Sequence, residues 1–370
     1  MTVYLDRILR LTAAMPAHDL EAIVLLPGPN LRFFTGLSFH LMGRPTLAVI
    51  PVDQPPQLIV PELEQTKAES NSIGATVYTY GEDPASRPET FRRAAQAVGL
   101  AGRRTGVEPL RMRWLEERLL EEAAPGIRLA DGGAALEPLR AAKSAEELEA
   151  IKRAVRVAET ALLETIPRMR PGVSELDLAS ELNLQLLRAG SESELPFPPI
   201  VASGPNAALP HAVPTTRRIQ PGDILIVDWG ATVDGYISDL TRTFAVGPVE
   251  EDWRQIHAVV AQANLAGREA SGPGVACRAV DAAARIVIEA AGYGPAFIHR
   301  TGHGIGLEAH EAPYLRADND AALEPGMTFT VEPGIYLPGR GGVRIEDNVA
   351  VSKRGADTLS SLPRELRVIA

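Results

Sequence analysis

The sequence predicts an α+β protein built from two domains, and three features of the chain lead to this prediction. The chain has 370 residues, which is long for a single compact domain. Its first third alternates short apolar runs with amphipathic segments, a pattern typical of an α/β domain. Its remainder contains an internal repeat. We therefore assign residues 1–138 to an N-terminal α/β domain and residues 139–370 to a second domain.

The first domain shows strand and helix patterns in alternation. Four apolar runs have the length of a strand, and two further segments carry apolar residues at helical spacing. The predicted strands are residues 22–26, 46–50, 58–60 and 76–80, and the predicted helices are residues 88–98 and 114–122. The second domain begins with a long helix whose start is marked by Ser144 and Glu147, the two residues of a capping box.

Composition and charge exclude several classes of protein. The chain carries 37 Lys and Arg against 47 Asp and Glu, a net charge of −10, which argues against a nucleic-acid binder. No apolar stretch approaches the length of about 20 residues that a membrane span needs. The single cysteine, Cys277, cannot form an intramolecular disulfide, and residues 1–10 carry charges where a signal peptide would be apolar. We expect a cytoplasmic protein with neither a nucleic-acid nor a membrane partner.

The second domain contains a repeated strand motif. Residues 221–230 recur as residues 325–334, a shift of 104. In both copies an acid, Asp228 or Glu332, stands seven residues after a proline and two before a glycine. A repeat of this kind predicts two similar structural units that pack together.

A second motif recurs upstream of each copy. The sequence Pro-Gly-Val at residues 171–173 precedes a predicted helix that carries Asp177, and the same sequence at residues 273–275 precedes a helix that carries Asp281. The shift at the proline is 102, close to that of the strand motif. The two helices, with these two acids, are therefore predicted to occupy equivalent places in the two halves of the domain.

Each copy of the strand motif is followed by a turn and a second acid. Asp239 lies 11 residues after Asp228, and Glu346 lies 14 residues after Glu332. The dipeptide Asp-Gly at residues 234–235 is a strong hairpin-turn signal. The pattern predicts two β-hairpins related by an approximate two-fold axis, with one carboxylate on each of two neighbouring strands. Four carboxylates would then converge on one centre.

Four buried carboxylates need a cation between them, because desolvation and mutual repulsion would otherwise destabilise the fold. Arg344 lies on one of the strands, but two divalent metal ions balance four carboxylates better. His303, in a glycine-rich segment, is the candidate nitrogen donor. Two bridged ions activate water for hydrolysis. An oxygen-dominated donor set with one imidazole suits Mn²⁺ or Co²⁺, and Zn²⁺ competes for it.

Simpler interpretations compete with a metal site. Taken alone, Asp228 or Glu332 would be a solvated carboxylate at a strand end, and His303 a loop histidine. The repeated spacing of the acids favours a shared site instead. Residues 302–306 do not match the dinucleotide-binding pattern, and residues 318–320 lack the glycine and the closing glutamate of a calcium loop.

Five motifs follow one another in the second domain, at residues 226–230, 238–244, 301–311, 330–336 and 343–347. They resemble those of the pita-bread metallopeptidases, and within that family those of the Xaa-Pro dipeptidases (prolidases) and Xaa-Pro aminopeptidases. The N-terminal domain is similar to the creatinase-type domain of the family, most visibly at residues 30–36. The resemblance implies a creatinase-like α/β domain followed by a pita-bread catalytic domain.

The resemblance also implies a metal centre. In the family, the residues that match Asp228, Asp239, His303, Glu332 and Glu346 bind two metal ions, and those that match Asp239 and Glu346 bridge them. These are the same four carboxylates that the repeat brings together. Mn²⁺ is favoured as the metal, with Co²⁺ or Zn²⁺ as alternatives. The implied substrate is a small peptide with proline at its second position, and the implied assembly is a homodimer.

Further residues match positions that handle the substrate. His211 and His310 match two histidines that line the site, where an imidazole can bind the scissile carbonyl, and Glu332 is expected to carry a proton to the leaving proline nitrogen. Arg344 is expected to orient a carboxylate. Arg44 belongs to an N-terminal loop that in the family closes over the site, often from the partner subunit, and it is expected to bind the carboxylate of the substrate.

Several functions stay open on the sequence alone. We favour an Xaa-Pro dipeptidase over an Xaa-Pro aminopeptidase, whose site must stay open beyond proline. A methionine aminopeptidase would share the five ligands, but many need no additional N-terminal domain. A creatinase-type enzyme or a non-catalytic binding module on this fold would be expected to have lost ligands, and this chain retains all five.

Overall fold

The structure is a computed structural model that describes residues 2–369. The chain divides into two compact units, Met1–Arg140 and Ala141–Ala370. This division lies two residues beyond the predicted boundary at residue 138. Each unit has its own buried apolar core. In the part of the chain that is described, no helix combines the length and the apolar character that crossing a bilayer requires.

The first unit is a six-stranded mixed sheet with helices packed against it. Its strands are β1 (Ala22–Leu25), β2 (Leu47–Pro51), β3 (Gln57–Pro61), β4 (Thr76–Tyr80), β5 (Arg104–Val107) and β6 (Arg128–Asp131), in the order β4-β3-β2-β1-β5-β6. Its helices are α1 (Val3–Ala14), α2 (Pro29–Thr35), α3 (Gln65–Glu69), α4 (Arg87–Ala97), α5 (Trp114–Ala123) and α6 (Gly133–Ala141). The four predicted strands and two predicted helices are β1 to β4, α4 and α5, with each end within one residue of the prediction.

The second unit contains two sheets, two short ribbons and four helices. Its helices are α7 (Ala145–Thr165), α8 (Glu175–Ala189), α9 (Glu251–Ala270) and α10 (Cys277–Ala290). Its strands are β7 (Ile200–Ser203), β8 (Ile224–Trp229), β9 (Thr232–Val233), β10 (Tyr236–Ile237), β11 (Leu240–Val246), β12 (Gly302–Gly304), β13 (Glu311–Leu315), β14 (Thr328–Val331), β15 (Gly334–Leu337), β16 (Gly341–Arg344), β17 (Asp347–Val351), β18 (Ala356–Thr358) and β19 (Arg367–Ile369). One sheet has the order β19-β11-β8-β7 and the other the order β13-β12-β14-β17-β18.

The internal repeat is visible in this arrangement. In the first half β8 pairs antiparallel with β11, and in the second half β14 pairs antiparallel with β17. The helices α7 and α8 pack against each other, as do α9 and α10. Trp229 links strand β8 to helix α7, because its indole nitrogen donates to the carbonyl of Ala158 on that helix (2.8 Å).

Two local sequence signals in the first half, a helix cap and a hairpin turn, act as predicted. Ser144 and Glu147 form the capping box of α7, since each side chain accepts a hydrogen bond from the backbone N–H of the other. Asp234 and Gly235 both have positive φ (51° and 76°) in the turn between β9 and β10, which is the conformation that a type I′ hairpin turn requires.

The second acid of each half lies in a junction between strands. Asp239 stands between the end of β10 at Ile237 and the start of β11 at Leu240. Glu346 stands between the end of β16 at Arg344 and the start of β17. Glu332 likewise follows the end of β14 at Val331, so of the four acids only Asp228 lies within a strand. The prediction of one carboxylate on each of two neighbouring strands is therefore wrong in detail for Asp239, Glu332 and Glu346.

Candidate metal centre

A cavity of about 730 Å³ lies in the second unit, and all five predicted metal ligands line it. Its lining combines an apolar group that is rich in proline with a polar group of carboxylates and histidines. The apolar wall consists of Phe197, Pro198, Pro199, Ile200, Pro210, Ala212, Val213 and Pro214. The polar side consists of Asp228, Asp239, His299, His303, His310, Glu332, Arg344 and Glu346, and His211, Arg300, Ala309 and Arg316 complete the lining.

Three of the predicted ligands form a compact cluster. Asp239, His303 and Glu346 each present one ligand atom, and these three atoms lie within 4.8 Å of one another. The Nε2 atom of His303 also lies 3.3 Å from Oε1 of Glu332 and 3.7 Å from Oδ2 of Asp239. The His303 side chain is only 3% exposed, so its imidazole faces these carboxylates without competition from bulk water.

The glycines on both sides of His303 allow neighbouring strands to approach it closely. A Cβ atom at residue 302 would lie 1.9 Å from the carbonyl oxygen of Thr330, and one at residue 304 would lie 2.2 Å from that of Ala312. Both distances are impossible for a larger residue. Because Nδ1 of His303 contacts the carbonyl of Gly304 (3.2 Å), it must be the N–H donor, which leaves Nε2 as the atom available to a metal.

Asp228 is held by an arginine from the other half of the repeat. Nη2 of Arg344 donates to Oδ2 of Asp228 at 2.6 Å. Within residues 2–369, the other oxygen, Oδ1, is buried and has no hydrogen-bond partner. An unpartnered carboxylate oxygen in the cavity wall is a suitable ligand for a cation. The same arginine donates through Nε to Thr241 (3.1 Å) and through Nη1 to the hydroxyl of Tyr336 (2.8 Å).

Asp239 and Glu346 are each fixed by the opposite half. Thr241 donates its hydroxyl to Oε2 of Glu346 (2.7 Å), and the N–H of Glu346 donates to the carbonyl of Thr241 (3.1 Å). The amide of Asn348 accepts from the N–H of Asp239 (3.1 Å) and donates to its carbonyl. Asn348 was not predicted from the sequence, although it stands on β17 only two residues after Glu346.

The electrostatics of the cavity favour bound cations. Burial raises the pKa of Asp239 and of Glu346 well above the usual carboxylate range, and neighbouring carboxylates add to the effect. Burial also raises the pKa of Asp228, against the charge of Arg344. Burial would raise that of Glu332 too, but the hydrogen bond and charge of His303 outweigh it and lower the pKa to about 2. Four carboxylates and one imidazole therefore fit a pair of divalent cations.

Two further predicted site residues, His211 and His310, are histidines of the cavity lining. The ring of His310 lies 4.1 Å from that of His303, centroid to centroid, and burial lowers the pKa of His310 to about 4. His211 lines the same cavity from the segment before β8.

His299 was missed in the sequence, although its position four residues before His303 was a usable signal. Its Nε2 contacts the hydroxyl of Tyr336 (2.9 Å), and its Nδ1 contacts the carbonyl of Arg300 (2.7 Å). Burial lowers the pKa of His299 and raises that of Tyr336 to about 12. The phenol therefore donates its proton to the imidazole while accepting from Arg344.

Arg44 is the one predicted site residue that belongs to the first unit. There its guanidinium pairs with Glu82 (2.9 Å), and its side chain is 38% exposed. Its contact with the carboxylate of a substrate stays a prediction. Phe197 lines the cavity, whereas Tyr336 is buried in an apolar cluster and contacts the site through its hydroxyl.

Comparisons with known proteins agree with this geometry. The model of metallopeptidase family M24 matches residues 149–353, and the model of the creatinase/prolidase N-terminal domain matches residues 7–142. The probable dipeptidase PepE of Mycobacterium tuberculosis is 36% identical over 99% of this chain and 97% of its own length. The Xaa-Pro dipeptidase of Pyrococcus horikoshii is 30% identical over 99% of this chain and 100% of its own. The crystal structure of prolidase from Thermococcus sibiricus superimposes with a TM-score of 0.93, at 31% identity, and covers 100% of both chains.

Proposed function

The chain belongs to metallopeptidase family M24, and from that premise we propose that it is an Xaa-Pro dipeptidase that uses two divalent metal ions. One observation carries the proposal: four carboxylates and an imidazole line the same cavity as a group of apolar, proline-rich side chains. The first feature supplies hydrolytic chemistry, and the second supplies a surface for proline.

We assign the two ions to Asp228, Asp239, His303, Glu332 and Glu346, with Asp239 and Glu346 as the bridging ligands. When bound, such ions polarise the scissile carbonyl and lower the pKa of water. The dominance of oxygen donors favours Mn²⁺, with Co²⁺ and Zn²⁺ as alternatives. Arg344 and Thr241 hold the carboxylates in place through the hydrogen bonds described above.

The remaining polar residues bind the substrate and move protons. His310 is neutral at physiological pH, so an N–H of its imidazole donates to the oxygen of the scissile carbonyl as negative charge develops there. His211 lines the same cavity and is a second candidate to bind this carbonyl. Glu332, a carboxylate of the cavity, accepts the proton of the attacking water and passes it to the leaving proline nitrogen.

The apolar wall suits a substrate with proline at its second position. An Xaa-Pro bond has no N–H to satisfy, so the surface that contacts it needs no hydrogen-bond acceptor. Phe197, Pro198, Ile200 and Val213 present such a surface. An ordinary peptide would bury its N–H against this wall without a partner, which costs binding energy.

A length series of peptides tests the proposal. The Mn²⁺-loaded protein is given Ala-Pro, Ala-Pro-Gly, a longer Ala-Pro peptide and Met-Ala-Ser, and the free N-terminal residue, alanine or methionine, is measured. We expect cleavage to be confined to the dipeptide. Cleavage of the longer peptides would make the chain an Xaa-Pro aminopeptidase, and cleavage of Met-Ala-Ser alone would make it a methionine aminopeptidase. The predicted homodimer, the cytoplasmic location and the role of Arg44 stay predictions.

A further inference from the structure

The acids on the repeated helices do not pair as the sequence suggests. Asp177 exchanges hydrogen bonds with Ser174 and so belongs to the N-terminal cap of α8, whereas Asp281 reaches away from α10 to Thr301. The predicted equivalence of Asp177 and Asp281 is therefore wrong. A different acid at the start of α8, Glu175, occupies the corresponding role.

Glu175 is a fully buried carboxylate with a complete set of donors. The residue has no exposed surface. Its Oε1 accepts from the N–H and the hydroxyl of Ser203 (both 2.7 Å), and its Oε2 accepts from the N–H (3.0 Å) and the hydroxyl (2.7 Å) of Thr215. The side-chain amide of Asn206 donates to both oxygens (3.1 and 3.0 Å). Five donor groups thus converge on one side chain.

All of these donors belong to one segment, residues 203–215, which we call the His211 loop. Glu175 binds the loop at both of its ends. Between them lie His211 and four further residues that line the cavity. Apart from Ser203, which ends β7, and one 3₁₀ turn at Gly204–Ala208, the loop has no regular structure, so its conformation depends on such side-chain contacts. The loop also reaches the metal centre, because the carbonyl of Pro210 accepts from Nη1 of Arg344 (3.3 Å).

In the second half of the repeat, a buried acid likewise binds the segment that carries a histidine. Asp281 is 1% exposed and accepts from both the N–H (3.0 Å) and the hydroxyl (2.8 Å) of Thr301, as Glu175 does from Ser203. Arg285, also on α10, binds Asp281 and donates to the carbonyl of His299 (2.9 Å). This arrangement supports the segment that leads into His303, a predicted metal ligand.

We propose that Glu175 is a positioning residue for the catalytic centre: by binding both ends of the His211 loop, it fixes His211 and the apolar wall relative to the metal ligands. The inference rests on the proposed function. A carboxylate can only accept, which suits five converging donors, whereas the amide of a glutamine would direct its own N–H groups at two of them. Glu175→Gln therefore loosens the loop with almost no change in volume.

The test compares Glu175→Gln with Asp281→Asn as its matched partner. For Glu175→Gln we expect kcat/KM for Ala-Pro to fall by about tenfold or more, while the Kd for Mn²⁺, measured by calorimetry, stays within about twofold. For Asp281→Asn we expect Mn²⁺ binding itself to weaken. A milder variant, Thr215→Val, removes one donor at the far end of the loop and should show a smaller loss of the same kind. Wild-type kcat/KM in Glu175→Gln, or an equal loss of Mn²⁺ binding, would overturn the proposal.

A double-mutant cycle identifies the residue through which Glu175 acts. If Glu175 works through His211, most of the effect of Glu175→Gln should disappear in a His211→Ala background. Full additivity of the two effects would contradict the proposal.

The side-chain NMR signal of His211, assigned by its loss in His211→Ala, provides a readout that needs no activity. The His211 signal should shift or broaden in Glu175→Gln. The signal of His257, a buried histidine on α9, should stay unchanged. An unchanged His211 signal would contradict the proposal. A wild-type protein that fails to cleave Ala-Pro would instead contradict the proposed function, and the NMR result would still decide the role of Glu175.

Discussion

The two halves of the second unit share a framework but differ in their histidines. Each half contributes a helix pair, two carboxylates and a buried acid that binds a Ser or Thr at the start of a cavity segment. The second half also places His299, His303 and His310 around the cavity, whereas the first half places only His211 there. The comparison teaches that the features shared by the two halves supply the negative charge that suits two cations, and that residues in which the halves differ supply most of the imidazoles.

Each half also holds metal-ligand candidates of the other half in place. Arg344 of the second half pairs with Asp228 of the first, and Asn348 holds the backbone of Asp239. In return Thr241 of the first half binds Glu346 of the second. Neither half could form its part of the centre alone, so we expect ligand geometry and folding of the second unit to be tightly linked.

The largest effect is expected from removing a bridging carboxylate from either half. Asp239→Ala and Glu346→Ala should each abolish metal binding and lower peptidase activity by about three orders of magnitude or more, because the metal-assisted step is lost. Mn²⁺ titration calorimetry and Ala-Pro hydrolysis measure the two effects. Asp357→Ala, which removes an exposed carboxylate of the same unit, is the control and should change neither.

This pair of variants also probes the symmetry of the centre. If the halves contribute equally, the two variants should lose Mn²⁺ to the same extent. A variant that kept both full metal content and full turnover would rule out the bridging assignment of its residue.

The contact between the halves at Arg344 should have the next largest effect. Arg344→Met leaves Asp228 buried with no partner for its charge, and breaking such a pair costs about 3–5 kcal/mol. Added Mn²⁺ should restore part of this stability, since it supplies a cation to the same carboxylate. Urea unfolding with and without EDTA, followed by the fluorescence of the buried Trp229 and Trp253, measures both the loss of stability and its recovery with Mn²⁺.

A matched control for Arg344 is available in the same hairpin. Arg340 pairs with Glu250 and Asp252 at the surface, where an ion pair contributes little. Arg340→Met should therefore have a much smaller effect that does not depend on Mn²⁺. Equal destabilisation by the two substitutions would show that the buried Arg344–Asp228 pair contributes no more to stability than a surface ion pair.

The framework could be predicted from the sequence where apolar patterning defines it. Strands β1 to β3 are runs of consecutive buried residues, β4 is a run of Thr, Val and Tyr, residue types that favour strands, and the ends of all four were located within one residue. By contrast, β5 and β6 each contain four residues, of which at least one is charged, so no pattern distinguishes them from loops. Gly106 on β5 is explained only by tertiary structure, because a Cβ atom there would lie 3.0 Å from the side chains of Ile23 and Leu20.

The site residues likewise divide into those that chain spacing predicts and those that it does not. The repeated distance from proline to acid identified Asp228 and Glu332 because duplication preserves chain spacing. Asn348 could not be predicted, since its contact with Asp239 spans 109 residues of chain. Glu175 could not be predicted for a related reason: Glu175 and Asp177 both lie in the first turn of α8, and only the fold determines which one faces the His211 loop.

His257, a buried histidine on α9 in the second half, should make the stability of the protein depend on pH. Burial lowers the pKa of His257 to about 4 from 6.5, with the charge of Arg242 adding to the effect and that of Glu365 opposing it. The folded protein therefore favours the neutral ring, and below pH 6.5 unfolding takes up a proton. Stability should fall by about 1.4 kcal/mol per pH unit down to about pH 4, about 3 kcal/mol in total.

The variant His257→Gln isolates this contribution, because glutamine does not titrate. Urea midpoints of the EDTA-treated wild type and variant, measured from pH 7.5 to pH 4, should converge or cross as the pH falls. Parallel curves would show that His257 keeps an ordinary pKa in the folded protein. The effect should be absent above pH 7, where the ring is neutral in both the folded and unfolded states.

The smallest effect is expected at the helix starts, where the halves again differ. The helix α7 begins with the capping box of Ser144 and Glu147, whereas the corresponding cap of α9, Glu250, makes no hydrogen bond to its helix through its side chain. Ser144→Ala should cost about 1 kcal/mol, since an N–H of the first turn loses its acceptor. Glu250→Ala removes no cap and should cost less. If the two substitutions had equal effects on the urea midpoint, the packing of α7 against α8, rather than its capping box, would set the stability of its first turn.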